Sequence, residues 1–186
     1  MPPKVKITKE DIVACAVELV RREGAVGLNA RNVANALGCS TQPVFSNFDS
    51  MEQLRQAVVS KAGELFEAYI SRETQRGEYP AYKASGIAYI RFANEERELF
   101  KLLYMRDRKT EMVPGEELND PAREQLVQEN TGLEGDKAKL FHLEMWSFVH
   151  GIATMLATNF VNLEWELISA MLTDAYQGLE KHYGME

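Results

Sequence analysis

The chain has 186 residues, 45% hydrophobic and 26% charged, ordinary values for a folded globular protein that exclude a disordered one. No apolar run reaches the ~18 residues a membrane helix needs, and Met1-Pro2-Pro3-Lys4-Val5-Lys6 lacks a signal peptide's apolar stretch, so a cytoplasmic protein without a membrane partner is expected. The net charge of −7 is uneven: residues 1–50 carry six cations against five acids, leaving −8 on the remainder, a distribution suited to meeting phosphate with one end only.

The periodicity is helical almost throughout. Thr8 opens the first helix as an N-cap, with Asp11 three residues on completing a capping box. Ile12, Val13, Ala16, Leu19 and Val20 form its apolar stripe, Cys15 is expected on its buried face, and Gly24 ends it in a left-handed conformation. A short second helix runs from the N-cap Asn29 to Leu37, where Gly38 ends it and Cys39 falls in the turn. Ser40 caps a third helix reaching about Asn47. Ser50 and Gln53 form a second capping box that opens a long fourth helix over about 51–72, with Leu54, Val58, Ala62, Leu65, Phe66 and Tyr69 on one side.

A polar joint over 75–80 follows, then helices over 82–94 and 97–105 and a loop over 107–120. Asp120-Pro121 starts a further helix, because an N-cap precedes a proline at the first helical position. Two long apolar helices, over about 136–158 and 163–183, complete the chain. No strand alternation, internal repeat or low-complexity tract is present. The expected fold is all-α, with an N-terminal three-helix domain over 1–50. A connecting helix over 51–74 joins it to a helical dimerisation and ligand domain over 75–186.

The informative segment is Ala30–Phe48, ARNVANALGCSTQPVFSNF. Two short helices joined by a tight turn need a small residue at their approach, a glycine in the turn and an apolar wedge between them. Ala34, Gly38 and Val44 stand at those intervals, and Leu37 and Phe48 complete the small core. With Val33, Leu37, Val44 and Phe48 inward, the third helix turns Thr41, Gln42, Ser46 and Asn47 outward, with Pro43 and Phe45 between them. Gln and Asn can pair bidentately with adenine, and Ser and Thr can bond to bases or phosphate, which suits the major groove of double-stranded DNA. Ser40, Ala30 and Arg31 flank this face, the helix N-termini near Asn29 and Ser50 can each meet a phosphate, and Lys4 and Lys6 read as a basic arm. A solvated polar helix in a generic helical protein is the plain alternative.

Over residues 8–56 the sequence resembles the TetR (tetracycline-repressor-like) family of bacterial regulators. The resemblance rests on Ile12–Ala16, Glu23-Gly24, Leu28–Gly38, Ser40-Thr41-Gln42-Pro43-Val44-Phe45, Phe48 and Glu52-Gln53-Leu54. It implies a two-fold dimer that binds operator DNA, with C-terminal helices that dimerise and often enclose a small-molecule pocket. Phe45 stands where the family usually has Tyr, and Met51 where it usually has Lys, which should weaken contact with the DNA backbone without altering the fold. Tyr89-Ile90-Arg91-Phe92-Ala93, Glu98-Leu99-Phe100 and Trp146-Ser147-Phe148-Val149-His150-Gly151 resemble the C-terminal variant named for its Trp-His-Gly stretch.

The helix over 136–158 is apolar nearly all round, so it must bury two faces. Together with the last helix it suggests a four-helix dimer interface, assigned to Phe148, Ile152, Met155, Leu163, Leu167 and Met171; a thicker single-chain core is the alternative. Ser147, His150, Thr154 and Thr158 form a polar stripe on the same helix. Tyr89, Phe92, Met105, Trp146, His150 and Thr154 are the candidate lining of an effector pocket, although His150 suits a hydrogen-bonded core position better than a ligand contact.

The leading reading is a dimeric sequence-specific transcriptional regulator, a repressor released by a small-molecule effector. A helical-bundle enzyme is the rival. Of the three histidines, His142 and His150 share a helix with Glu144, but His142 and Glu144 face different directions, and no metal-protease or nucleophile motif occurs. Neither a metal nor a cofactor is expected. A protein-binding adaptor is a third reading.

Overall fold

A computed structural model describes residues 7–106 and 121–185; the basic arm at Lys4 and Lys6, the 107–120 loop and the Asp120 cap lie outside them. Every regular element among the described residues is helical. They are α1 (Lys9–Glu23), a single 3-10 turn (Ala25–Gly27), α2 (Ala30–Ala36), α3 (Gln42–Asn47), α4 (Met51–Arg76), α5 (Ala81–Glu95), α6 (Arg97–Tyr104), α7 (Pro121–Thr131), α8 (Gly135–Ala157) and α9 (Trp165–Tyr183). Two compact units result. The first takes the described residues up to Leu65 together with Glu96–Arg106, and the second takes Phe66–Glu95 and the residues from 121 onward.

In the first unit, the capping box of α1 forms as the sequence reads. Thr8 Oγ1 accepts from the Asp11 amide at 3.1 Å, and Asp11 Oδ2 accepts from the Thr8 amide at 2.9 Å. Those bonds from Thr8 hold the Asp11 carboxyl below its ordinary value. Gly24 closes α1, but with φ 70° and ψ −175°, so the expected left-handed helical turn is replaced by an extended one that leads into the 3-10 turn. A residue with a Cβ would be strained at this φ and would also meet Glu98 Oε2 at 2.8 Å. Helix α1 packs on α2, α3 and α6. Ile12, Ala16, Leu19 and Val20 are buried and Val17 joins them, whereas Val13 and Cys15 are only half-buried. Arg21 reaches from α1 to Glu96 with a two-pronged contact, Nε–Oε2 2.8 Å and Nη2–Oε1 2.7 Å.

Two further local expectations shift. Ser40 is not the cap of α3; Thr41 holds that position, without a side-chain capping bond. An N-cap side chain bonds the amide two or three residues on. Three residues after Ser40, and two after Thr41, stands Pro43, which has no N–H. At α4, Ser50 Oγ accepts from the Gln53 amide at 3.2 Å, but Gln53 Oε1 accepts from the amide of Asp49, one residue earlier than a standard box, at 2.8 Å. Helix α4 also runs one turn past its expected end, to Arg76.

In the second unit, α5 packs on α7, α8 and α9, and α8 packs on α7 and α9. The faces of α5 and α8 turned inward are apolar, with Ile87, Ile90, Phe92, Phe141 and Ile152 all below 3% exposed. Phe66 and Tyr69 of α4 meet Phe92 with ring centroids 5.4 Å apart in both pairs. Helix α8 does not bury two faces within the chain: Leu140, Leu143 and Phe148 are exposed. Helix α9 buries only Ile168 and Leu172. One charged residue sits among these apolar faces. Glu73 of α4 is 1% exposed, with Arg76 Nη1 at 3.0 Å and Arg91 Nε at 3.2 Å, both from its Oε1. Arg91 in turn lies over the Trp165 ring of α9, 4.3 Å from its centroid.

Candidate nucleic-acid interface and ligand cavity

The segment from Ala30 to Phe48 folds as two short helices around a turn in which Gly38 adopts φ 65°. Val33, Ala34, Val44 and Phe48 are buried beneath α3, at 2% exposure or less; Leu37 is half-buried. Burying the wedge at position 44 and the anchor at position 48 fixes which side of α3 meets solvent. Thr41, Gln42, Phe45 and Ser46 are exposed, and Pro43 and Asn47 are half-buried. The polar side chains on this face are not equivalent. Ser46 Oγ donates to the Gln42 carbonyl at 2.9 Å and Asn47 Nδ2 to the Pro43 carbonyl at 2.8 Å. Thr41 and Gln42 make no side-chain hydrogen bond among the described residues and stand at the N-terminal end of α3. Sequence reasoning ranked all four alike, because a back-bond one turn away depends on rotamer and not on residue type.

The flanking residues are also in place. Asn29 is exposed and caps α2, its Oδ1 accepting from the Asn32 amide at 2.9 Å. Arg31, Ser40 and Ser50 are exposed and Ala30 is half-buried. Phe45 is 54% exposed, a large apolar ring on a polar face.

The second unit contains a cavity of about 680 Å³, within the range of small-molecule sites. Tyr89 and Trp146 line it as the sequence suggests. The other four expected lining residues do not. Phe92 is fully buried in the aromatic cluster with Phe66 and Tyr69. Met105 belongs to the first compact unit and is exposed. Thr154 is half-buried, with an Oγ1 that has no hydrogen-bond partner among the described residues. His150 stands behind the wall. A 2.9 Å hydrogen bond joins its Nδ1 to the Tyr89 hydroxyl, and its ring stacks on Trp146 at 4.8 Å. His150 thus orients the two residues that do line the cavity.

Lining residues that sequence reasoning missed include Tyr82, Lys83, Gly86, His142, Thr173 and Tyr176. Tyr82 and His142 form a second tyrosine–histidine pair, hydroxyl to Nδ1 at 3.1 Å. The Tyr176 hydroxyl donates to the Asn130 carbonyl at 3.2 Å, and burial, with the Glu180 charge, pushes its phenol up. The 82-to-89 interval on α5 and the 142-to-150 interval on α8, each about two helical turns, were the only available hint. Among the described residues, no three His, Cys, Asp or Glu side chains group to hold a metal ion. None of their helices is long and apolar enough to cross a membrane.

Burial pushes His150 below the ordinary histidine value of 6.5. The unfolded chain therefore binds this proton more readily, so stability contributed by neutral His150 is present above pH 6.5 and is lost as pH falls through its folded value. We expect this stability slope to vanish in His150→Gln, and the His150 ring resonances to titrate below pH 6.5. A midpoint above 6.5 by NMR would contradict the assignment.

A short solvent-facing helix braced by a buried wedge, among described residues whose regular elements are all helical, is a helix-turn-helix module of the kind transcriptional regulators carry. A family model described as "Tetracyclin repressor-like, C-terminal domain" matches residues 82–175, slightly more than half of the chain. The chain belongs to this family, as a transcriptional regulator and not an enzyme. It is similar to YobS of Bacillus subtilis (strain 168), an uncharacterised HTH-type transcriptional regulator, at 22% identity over 175 residues, covering 92% of this chain and 90% of YobS. Its fold is similar to that of a TetR-like transcriptional regulator from Rhodococcus sp. RHA1, with TM-score 0.69 and 15% identity over 96% of this chain and 98% of the other. It is also similar to the multidrug binding protein EbrR, solved with imidazole, with TM-score 0.63 and 17% identity over 91% and 92% of the two chains.

Proposed function

We propose that this protein is a homodimeric repressor that reads double-stranded operator DNA with α3 and releases it when a small molecule enters the second unit. The single observation that carries the DNA reading is that Thr41 and Gln42 are exposed and uncommitted, while Val44 and Phe48 are fully buried behind them. Gln42 is assigned to a base edge, and Thr41, Ser46 and Asn47 to bases or phosphate. Asn29, Ala30, Arg31, Ser40, Pro43, Phe45 and Ser50 are assigned to the flanking backbone, with Lys4 and Lys6 as a basic arm. In this reading residues 1–50 read DNA, 51–74 connect and 75–186 sense and dimerise.

The dimer reading is supported by the exposed apolar residues of α8 and α9, where Phe148 is 37% and Leu167 50% exposed. Leu140 and Leu143 extend the same kind of surface, which a monomer would leave in water. Met155, Leu163 and Met171 are half-buried and remain candidates. Ile152 lies in the chain's own core at 2% exposure and is removed from the interface. Effector release would act through α4, which lends Glu67 and Ile70 to the cavity wall and Leu54 and Val58 to the first unit's core. A small shift of α4 in each protomer would change the separation of two recognition helices that must stand about 34 Å apart.

The test is binding to the DNA upstream of the protein's own gene across a salt series. Gln42→Ala is expected to cost about 1–3 kcal/mol and relax base preference at one position per half-site. Arg31→Ala should weaken all sequences alike and lower the salt slope by about one. Leu167→Glu with Phe148→Glu should yield a folded monomer that no longer binds. Failure of the wild-type protein to retain any genomic fragment at low salt would overturn the reading.

A further inference from the structure

We infer that the cavity of the second unit takes an organic carboxylate, its head on Lys83 and its apolar body lying along α5 toward Trp146. The inference rests on the effector-site reading above and adds the chemical class of the ligand. It starts from the hydrogen-bond inventory of one ammonium group. Lys83 is half-buried in the cavity wall, and among the described residues no carboxylate pairs with it. Its Nζ donates to Thr173 Oγ1 at 2.8 Å, and the Tyr79 ring covers one side at 4.8 Å. The Thr173 hydroxyl directs its own proton to the Ser169 carbonyl at 3.0 Å, so its oxygen is oriented to accept from Lys83. An ammonium has three N–H donors. Two remain, held in place by Thr173, on a cation that is costly to keep beside an apolar cavity without a counter-charge.

The rest of the wall shows where the body goes. Lys83, Gly86 and Tyr89 line the cavity at three-residue intervals on α5, a rise of about 9 Å from head to ring. At Gly86, in the middle of this track, α5 packs closely on Val149 and Leu172, which also line the cavity. A Cβ there would already touch Val149 Cγ2 at 3.4 Å and Leu172 Cδ1 at 3.9 Å. Trp146, stacked on His150, offers a flat apolar face at the far end. An aromatic bicycle or an eight-carbon chain has this length.

Glu67 and Glu180 also line the cavity and could favour a cation instead. Glu67 is exposed, so water already solvates its charge. Glu180 stands seven residues along α9 from Thr173, about 10 Å away by helical rise. The cavity is thus graded, with the cation against the middle of α9 and the acid two turns further along it, and only the Lys83 side has a charged group with bonding capacity locked in place.

Isothermal titration of the full chain with matched probes tests this. One series is 2-naphthoate, 2-naphthamide and 2-(aminomethyl)naphthalene; the second is octanoate, octanamide and octylamine. In at least one series the carboxylate is expected to bind tenfold or more tighter than its amide and its amine. Lys83→Met should abolish that preference while leaving amide affinity unchanged, and Lys83→Arg should keep it. An amine binding tighter than its carboxylate, or a carboxylate preference that survives Lys83→Met, would overturn the inference. Equal binding of carboxylate and amide would sink the head-group assignment and leave the effector site standing. No binding by any probe would remove both.

Discussion

Val44→Asp is expected to abolish operator binding and to destabilise the first unit by more than about 4 kcal/mol, whereas Val44→Ala should cost about 1–3 kcal/mol. Val44 is the wedge on which the orientation of α3 depends, with no exposed surface. Val33, Ala34 and Phe48 are equally buried and apolar, and no charged residue is buried among the described residues of this unit, so an aspartate there would have no buried counter-charge. The cost is that of an uncompensated buried charge. Because the chain has two compact units, a single unfolding midpoint could hide a local effect. Amide hydrogen exchange resolves it: protection in α1 should collapse in Val44→Asp while protection in α8 persists. Undiminished protection of the Ile12–Val20 amides would show that position 44 is not the wedge of this unit.

The second large effect is expected at Glu73. Glu73→Ala should destabilise the second unit by about 3–5 kcal/mol, the usual cost of removing one partner from a buried ion pair. The carboxylate is buried and collects Arg76 and Arg91 on one oxygen, while its Oε2 has no hydrogen-bond partner among the described residues. Removing it strands Arg91, which is 21% exposed and lies against Trp165. Adding Arg91→Met should therefore restore part of the loss, since the stranded charge disappears while the apolar stem stays. Urea unfolding of the two variants measures the difference. A double variant no more stable than Glu73→Ala would place the energetic weight elsewhere than on the stranded cation.

Glu73 also marks the limit of sequence reading. A glutamate late in a long helix looks like one more solvated charge, and in sequence its partner Arg91 stands out only as part of a family-like stretch. Their pairing spans 18 residues and a joint between helices, which periodicity cannot see. Lys83 and Thr173 are 90 residues apart, and the pair changes the chemistry proposed for the cavity. By contrast, the capping box of Thr8 and Asp11 was legible because both partners lie within one turn. The bracing of α3 was legible for a related reason: small, glycine and β-branched residues at short intervals leave few ways to pack two short helices. The misplaced cap at Ser40 shows that even local rules interact, since Pro43 removes one of the two donors that a cap at Ser40 could use.

The pocket lining was the least legible part. Tyr89 and Trp146 were found, but Phe92 and His150, on the same helices, serve the core and the positioning of their neighbours. A helical stripe reports which residues face a common side, not whether that side ends in side chains or in a hollow. Ile152 and Phe148 make the same point on α8: both read as interface, yet one is buried within the chain and the other is exposed.

The order of residues alone determined the helices, the Thr8–Asp11 capping box and the outward face of α3, because each follows from interactions within a turn or two. Only the tertiary structure decided which polar groups remain uncommitted, which apolar ones stay in water, and where a hollow opens. Those outcomes depend on distances between residues far apart in the chain, and burial converts such distances into the energies of unpaired charge and uncovered surface.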